Sequence, residues 1–125
     1  MGKKKRLLPL QPEAFYCGPF TFTVDWSVEG WGSTSATQAR FDKDMALYIG
    51  FTDRGSCTVW INPHAVEQFQ REALLHEVTH CCQLVANLPN DGNVSGEDFI
   101  TRITPLLLDT LQRNPGLREY LFWED

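Results

Sequence analysis

The chain has 125 residues, 42% hydrophobic and 22% charged, which is typical of one globular domain and excludes a disordered or fibrous protein. The formal net charge is −5, although four of the eleven basic residues lie within the first six positions. The remaining chain is strongly acidic and would bind polyanions poorly, so we expect no nucleic-acid partner.

The N-terminal segment is expected to be a flexible basic arm over residues 1–13, followed by a single domain over residues 14–125. Its basic residues resemble the start of a signal peptide, but the apolar stretch behind them ends at Leu10. That stretch is shorter than the roughly 7–15 apolar residues of an export signal. No apolar run approaches the roughly 18–20 residues that span a bilayer. We therefore expect a cytoplasmic protein without a membrane partner.

Three segments of the N-terminal half are predicted to be strands. Residues 20–26 alternate aromatic or aliphatic side chains with threonine and aspartate, which is the two-residue period of a half-buried strand. Residues 45–51 and 57–61 are apolar runs on either side of a turn-rich spacer, and this pattern predicts a β-hairpin.

The C-terminal half changes to a helical period. Apolar residues recur at three- and four-residue steps over residues 65–88 and predict a first helix. A second helix is predicted to begin near Ser95, with a kink or break near Thr104 because Pro105 lacks an amide hydrogen. Its predicted apolar stripe consists of Ile100, Ile103, Leu107 and Leu111, and residues 117–123 are expected to form a last helical turn.

The order of these elements indicates the fold class. Strands come first and helices afterwards, without alternating strand–helix units. This order is typical of the α+β class. We therefore predict a small antiparallel sheet packed on the first helix and on a second, C-terminal helix.

The four cysteines are predicted to be free thiols. Cys81 and Cys82 are adjacent, which suits neither a usual disulfide nor a zinc knuckle. A bridge between Cys17 and Cys57 is conceivable from the count alone. Because we expect a cytoplasmic protein, buried free thiols are the better interpretation.

The most informative motif is H-E-x-x-H, formed by His76, Glu77 and His80 on the first predicted helix. Residues four apart share a helix face, so both histidines can reach one metal ion. Glu77 is rotated by about 100° from His76, close enough to meet a metal-bound water. Zinc lowers the pKa of that water to about 7, and a carboxylate takes its proton during attack on a carbonyl. The alternative interpretation is a helix whose two histidines are exposed or belong to the core.

A catalytic zinc needs a third protein ligand and an open position for water. We favour Glu97, because it lies three positions before Ile100 on the predicted buried stripe, where an unpaired charge is unfavourable. The alternative for Glu97 is an acid that stabilises the first turn of the helix. Asp98 is the second choice for the ligand, although its position suits capping. The other candidates are His64, which we expect to be an exposed loop residue, Asp91 and the cysteines, of which Cys81 and Cys82 are poorly placed beside His80.

The segment Glu72–His80 resembles the central helix of the ImmA/IrrE-like zinc metallopeptidases, which include short phage and actinobacterial members. Further similarities are a strand that ends at residues 59–62 and an acidic helix start at residues 96–98. A Leu-x-x-Asn-Pro-x-Leu tail at residues 111–117 is also similar to phage members. The resemblance covers roughly residues 20–122.

This resemblance implies a minimal zincin-like fold with a gluzincin-like site. His76 and His80 would be zinc ligands, Glu77 the catalytic base and Glu97 the third ligand. The implied activity is hydrolysis of peptide bonds in a protein or peptide substrate, such as a repressor inside a bacterial cell. The chain departs from the family because it has no helix-turn-helix region, carries a cysteine pair after the motif and has Pro105 within the second helix.

The sequence leaves a second function open. A zinc-binding regulatory or protein-interaction module could keep the same fold without turnover, and the small size of the chain favours it. The intact Glu77 favours the peptidase, because a structural zinc site needs no base beside the metal. A structural zinc domain or a domain without metal is the third hypothesis. The sequence predicts no oligomeric state.

Overall fold

The computed structural model of the protein describes residues 10–33, 50–88 and 96–124. Four strands and four helices lie within these residues and form an α+β fold, as the sequence predicts. No helix in these three ranges is long and apolar enough to cross a membrane. In chain order the elements are β1 (Ala14–Cys17), β2 (Phe20–Asp25), α1 (Val28–Ser33), β3 (Gly50–Asp53), β4 (Thr58–Ile61), α2 (Glu67–Val85), α3 (Gly96–Arg113) and α4 (Pro115–Leu121).

The four strands form one mixed sheet in the order β1-β2-β4-β3. The outer pairs β1–β2 and β3–β4 are antiparallel, but the central pair β2–β4 is parallel. The prediction of an antiparallel sheet is therefore wrong for its centre. A parallel pair needs a crossover connection instead of a tight turn, and α1 follows β2 directly at the start of that connection. Local sequence patterns predict hairpins but contain no signal for the pairing between two hairpins.

The strand predictions hold with shifted bounds. Residues 20–26 correspond to β2, and the predicted hairpin corresponds to β3 and β4. Strand β3 extends to Asp53, further into the predicted spacer than the sequence indicates. The first part of the predicted run, residues 45–49, lies outside the described residues. Strand β1 is missed by the sequence, because a four-residue strand is too short to establish a period.

A tight turn at Gly18 joins β1 to β2. Gly18 has a φ of +57°, a conformation that glycine adopts without steric penalty. A β-carbon at this position would lie 2.7 Å from Cγ1 of Val85 near the end of α2. The turn therefore lets the first hairpin pack closely against the helix that carries the H-E-x-x-H motif.

The core forms where alternate residues of the sheet meet the helices. Strand residues that are buried alternate with exposed or half-buried ones in β1 and in β4. Burial of this shared apolar cluster fixes α2 against the sheet. Its buried members from the sheet are Phe15, Cys17, Phe22, Val24, Val59 and Ile61, and those from the helices are Ala73, Leu74, Val78, Cys81, Cys82, Ile103, Leu117 and Tyr120.

Helix α3 continues through Pro105 without the predicted break. Proline removes one backbone hydrogen bond, but buried or half-buried residues on both sides still hold the helix against the core. Next to the proline, the Thr104 hydroxyl donates a 2.7 Å hydrogen bond to the carbonyl oxygen of Ile100. The predicted stripe is partly wrong, since Ile100 is 58% exposed and Phe99 packs against the core instead.

Asn114 joins the α3–α4 junction to the sheet. Its side-chain Oδ1 accepts a 2.8 Å hydrogen bond from the backbone N–H of Tyr16, and its Nδ2 donates a 2.8 Å bond to the Tyr16 carbonyl. Nδ2 also donates a 2.6 Å bond to the carbonyl of Thr110. A buried side chain thus pairs with strand β1 much as a neighbouring strand would.

Candidate metal centre

The two histidines of the motif meet on one face of α2, as their spacing predicts. Nε2 of His76 lies 3.0 Å from Nε2 of His80, and the ring centroids are 4.7 Å apart at an interplanar angle of 76°. His76 is exposed and His80 is half-buried. The two nitrogens are therefore directed at one point that solvent can reach.

This separation fits two nitrogen ligands of one zinc ion. Zinc–nitrogen distances of about 2.0–2.1 Å in tetrahedral geometry place two nitrogens about 3.3–3.4 Å apart. The observed 3.0 Å is within a few tenths of an ångström of that value. The same distance also suits a hydrogen bond from one neutral imidazole to the other. The pair can thus bind zinc after a small movement of either ring.

A neighbouring glutamine holds the ring of His80. Its Nδ1 lies 3.3 Å from Oε1 of Gln83, one turn further along α2, and Gln83 is buried. An amide oxygen only accepts hydrogen bonds, so this hydrogen bond forms in the tautomer with the ring proton on Nδ1, which leaves Nε2 with its lone pair. Histidine ligands of metals are commonly oriented in this way by a second partner. Sequence reasoning missed Gln83, although its spacing of three residues from His80 is a usable signal.

Glu77 points to the sheet and is only 5% exposed. Its Oε1 accepts a 2.6 Å hydrogen bond from the hydroxyl of Thr52 on β3. A β-carbon added to Gly50 would lie 3.0 Å from Cγ and 3.2 Å from Oε2 of Glu77. Gly50 and Thr52 are two positions apart on β3 and therefore face the same side of the sheet. Gly50 leaves room for the Glu77 side chain, and Thr52 donates the hydrogen bond to its carboxylate. No local signal in the sequence identifies them, since both contacts are long-range.

The third proposed ligand does not join the histidines in the described structure. Glu97 is exposed in the first turn of α3, so its predicted place on the buried stripe is wrong. Phe99, two positions later, packs on the core, which turns Glu97 to the opposite side of the helix. Within residues 10–33, 50–88 and 96–124, no group of three His, Cys, Asp or Glu side chains could hold a metal ion. The candidate Asp91 lies outside these residues, and Glu97 as a ligand stays a prediction.

The remaining candidates lie apart from the two imidazoles or in the core. His64 is exposed, as expected, and its backbone N–H donates to Oδ1 of Asn62. All four cysteines are free, as predicted; Cys57 is half-buried, whereas the other three are buried. Burial raises the pKa of the Cys81 thiol well above its usual range, so this thiol stays protonated.

Comparisons of the chain with protein-family models, with curated proteins and with solved structures find no match. The resemblance to the ImmA/IrrE-like metallopeptidases therefore stays a prediction that depends on the residues of this chain.

Proposed function

We propose that this protein is a small zinc-dependent metallopeptidase that hydrolyses peptide bonds of a protein substrate. The observation that carries the proposal is the convergence of the His76 and His80 Nε2 atoms, 3.0 Å apart, with Glu77 as the next residue after His76. Two imidazoles that share one solvent-accessible point, with a carboxylate on the adjacent helix residue, are parts that metal-assisted hydrolysis uses.

Each residue of the motif has a distinct role in this proposal. His76 and His80 would hold zinc, and Gln83 would orient His80 by accepting the Nδ1 proton. When bound, zinc supplies Lewis-acid chemistry and lowers the pKa of water. Glu77 accepts the proton of the attacking water, with its carboxylate held by Thr52. Glu97 is the proposed third ligand on the family resemblance alone.

The proposed substrate is a regulatory protein in the cytoplasm of a bacterial cell, as the resemblance implies. The acidic chain, with a net charge of −5, does not favour a nucleic-acid substrate. A protein substrate needs a site that is open to solvent, and the exposed His76 meets that requirement.

The alternative function is a zinc-binding interaction module without turnover. The burial of Glu77 favours it, because a carboxylate that is 5% exposed and hydrogen-bonded to Thr52 is restricted in its approach to water. The two functions share the zinc site but differ in the fate of a bound partner, which makes them separable by experiment.

The first test is the zinc content of the purified protein, measured by mass spectrometry. We expect one zinc ion per chain in the natural protein and a strongly lowered content in His76→Ala and His80→Ala. His64→Ala is the matched control, since it removes an exposed histidine outside the motif and should leave the zinc content unchanged. A natural protein without zinc, or equal losses in all three variants, would contradict the proposed metal site.

The second test separates the peptidase from the module. Glu77→Gln should keep the fold and the zinc but slow hydrolysis by about 10²–10⁴-fold, because the amide cannot accept the proton of water. Zinc-loaded Glu77→Gln is used to capture bound proteins, which are then incubated with the natural protein. Cleavage of a captured protein supports the peptidase, whereas captured partners that all stay intact support the module.

A further inference from the structure

Two buried thiols from distant parts of the chain meet beneath the motif. Sγ of Cys17 on β1 lies 3.7 Å from Sγ of Cys82 on α2, although 65 positions separate them in the sequence. Both side chains are completely buried. The Thr110 hydroxyl of α3 lies 3.8 Å from Sγ of Cys82, so three elements of the fold meet at this point.

We propose that Cys17 and Cys82 form an oxidisable dithiol site, which a peroxide converts into an intramolecular disulfide. A disulfide bond is about 2.05 Å long, so each sulfur has to move by about 0.8 Å towards the other from the present contact. The third thiol of this region, Cys81, lies on the same helix directly before Cys82 but is not part of the proposed pair. The inference is independent of zinc and of any peptidase activity.

The environment of Cys17 favours it as the sulfur that reacts first. The hydrogen bond from the Cys82 thiol lowers the pKa of Cys17 to about 7. The nearby positive charge of Arg113 also lowers this pKa, whereas burial raises it. The Arg113 side chain is held there by a 2.9 Å hydrogen bond to the carbonyl of Gly18, the residue after Cys17. A thiolate is the form of cysteine that reacts with peroxides.

The chemistry balances with hydrogen peroxide as the two-electron oxidant. The Cys17 thiolate attacks one peroxide oxygen, the O–O bond breaks, and the leaving hydroxide takes a proton to become water. The product is a sulfenic acid on Cys17. The Cys82 sulfur then attacks the Cys17 sulfur, the S–O bond breaks, and a second water leaves with the Cys82 proton. Two thiols and one peroxide thus give one disulfide and two waters.

The burial of the pair selects the kind of oxidant. Neither sulfur has exposed surface, so a bulky disulfide reagent has no approach in the folded protein. Hydrogen peroxide is small and uncharged, so it needs a smaller local opening of the packed elements than a bulky reagent does. The disulfide would tie strand β1 to α2 two residues after His80.

The sequence offers a direct test by peptide mapping. Trypsin separates the cysteines into three peptides: residues 7–40 with Cys17, residues 55–71 with Cys57, and residues 72–102 with Cys81 and Cys82. The reduced, folded full-length protein is treated with hydrogen peroxide, unfolded, alkylated with iodoacetamide and digested. We expect residues 7–40 and 72–102 to appear as one cross-linked species, with residues 72–102 alkylated at their one remaining thiol. Its mass should be about 2 Da lower than that of reduced 7–40 and singly alkylated 72–102 together.

Variants assign the partner within residues 72–102. Cys81→Ser should keep the cross-link, and Cys82→Ser should abolish it. If a variant does not fold, fragmentation of the cross-linked peptide between positions 81 and 82 gives the same assignment in the natural protein. Full alkylation of all four cysteines after peroxide, a cross-link to residues 55–71, attachment through Cys81, or oxidation of Cys17 without a cross-link would each overturn the proposal.

Discussion

The hydroxyl of Thr52 donates a 2.6 Å hydrogen bond to the buried carboxylate of Glu77 and so links strand β3 to helix α2. Hydrogen bonds to charged groups are shorter and stronger than those between neutral groups. This contact holds the carboxylate of the proposed base against the sheet.

Thr52→Val should destabilise the protein by about 1–3 kcal/mol, because the isosteric side chain leaves a buried carboxylate oxygen without its donor. Chemical denaturation measures the change in the free energy of unfolding. Thr58→Val on the neighbouring strand is the matched control, since its hydroxyl makes an exposed local bond to the Ser56 carbonyl. We expect a change within about 0.5 kcal/mol for the control. Equal stability of Thr52→Val and the natural protein would contradict a role for this bond.

Gly50→Ala should disturb the same carboxylate by steric contact. The added methyl group would lie 3.0 Å from Cγ of Glu77, so the side chain or the strand has to move. Overpacking of this kind destabilises by about 1–3 kcal/mol. Gly116→Ala in α4 is the control, because no atom of the described residues outside its own stretch of chain lies within 4 Å of its new methyl group. Thermal unfolding should show a lower Tm for Gly50→Ala and an unchanged or higher Tm for Gly116→Ala, and the reverse order would refute the steric argument.

Gln83→Met should weaken zinc binding without removing a ligand. The variant keeps the volume of the side chain but loses the acceptor for the Nδ1 proton of His80. Loss of such a partner commonly lowers metal affinity by about 10–100-fold. Competition with a chelating dye measures the affinity, and Gln68→Met on the exposed surface of α2 is the control. An affinity that is equal in both variants would show that Gln83 does not orient the ligand.

Glu97→Ala tests the third ligand. If the carboxylate completes the site, the variant should bind markedly less zinc than the natural protein under the same conditions, because only two ligands remain. Glu119→Ala removes an exposed acid on α4 and should have no effect. Unchanged zinc content in Glu97→Ala would exclude this residue, and Asp98→Ala would then be measured in the same way.

The local features of the site are predictable because they depend on short spacings. The four-residue step from His76 to His80 predicts a shared helix face, and the distance between their Nε2 atoms agrees with it. The partners Thr52 and Gly50 are not predictable, since they reach Glu77 only through the packing of β3 on α2. The metal itself and the hydrolytic activity stay predictions.

The errors have a similar origin. Phe99 and Ile100 are adjacent and both apolar, so the helical period alone allows either one to face the core. The choice of Ile100 placed Glu97 on the wrong side of the helix, and tertiary packing decides the question in favour of Phe99. The count alone also allowed the less favoured alternative of a Cys17–Cys57 bridge, whereas the fold brings Cys17 to Cys82.

The side chain of Asn114 has a consequence for self-association. Strand β1 is at one end of the sheet order, where unpaired backbone groups are a template for a strand from another molecule. Asn114 occupies both the N–H and the carbonyl of Tyr16, in the middle of this four-residue strand. A second copy of the chain therefore finds no continuous row of donors and acceptors at this edge. We therefore expect this one amide side chain to hinder edge-to-edge pairing at β1.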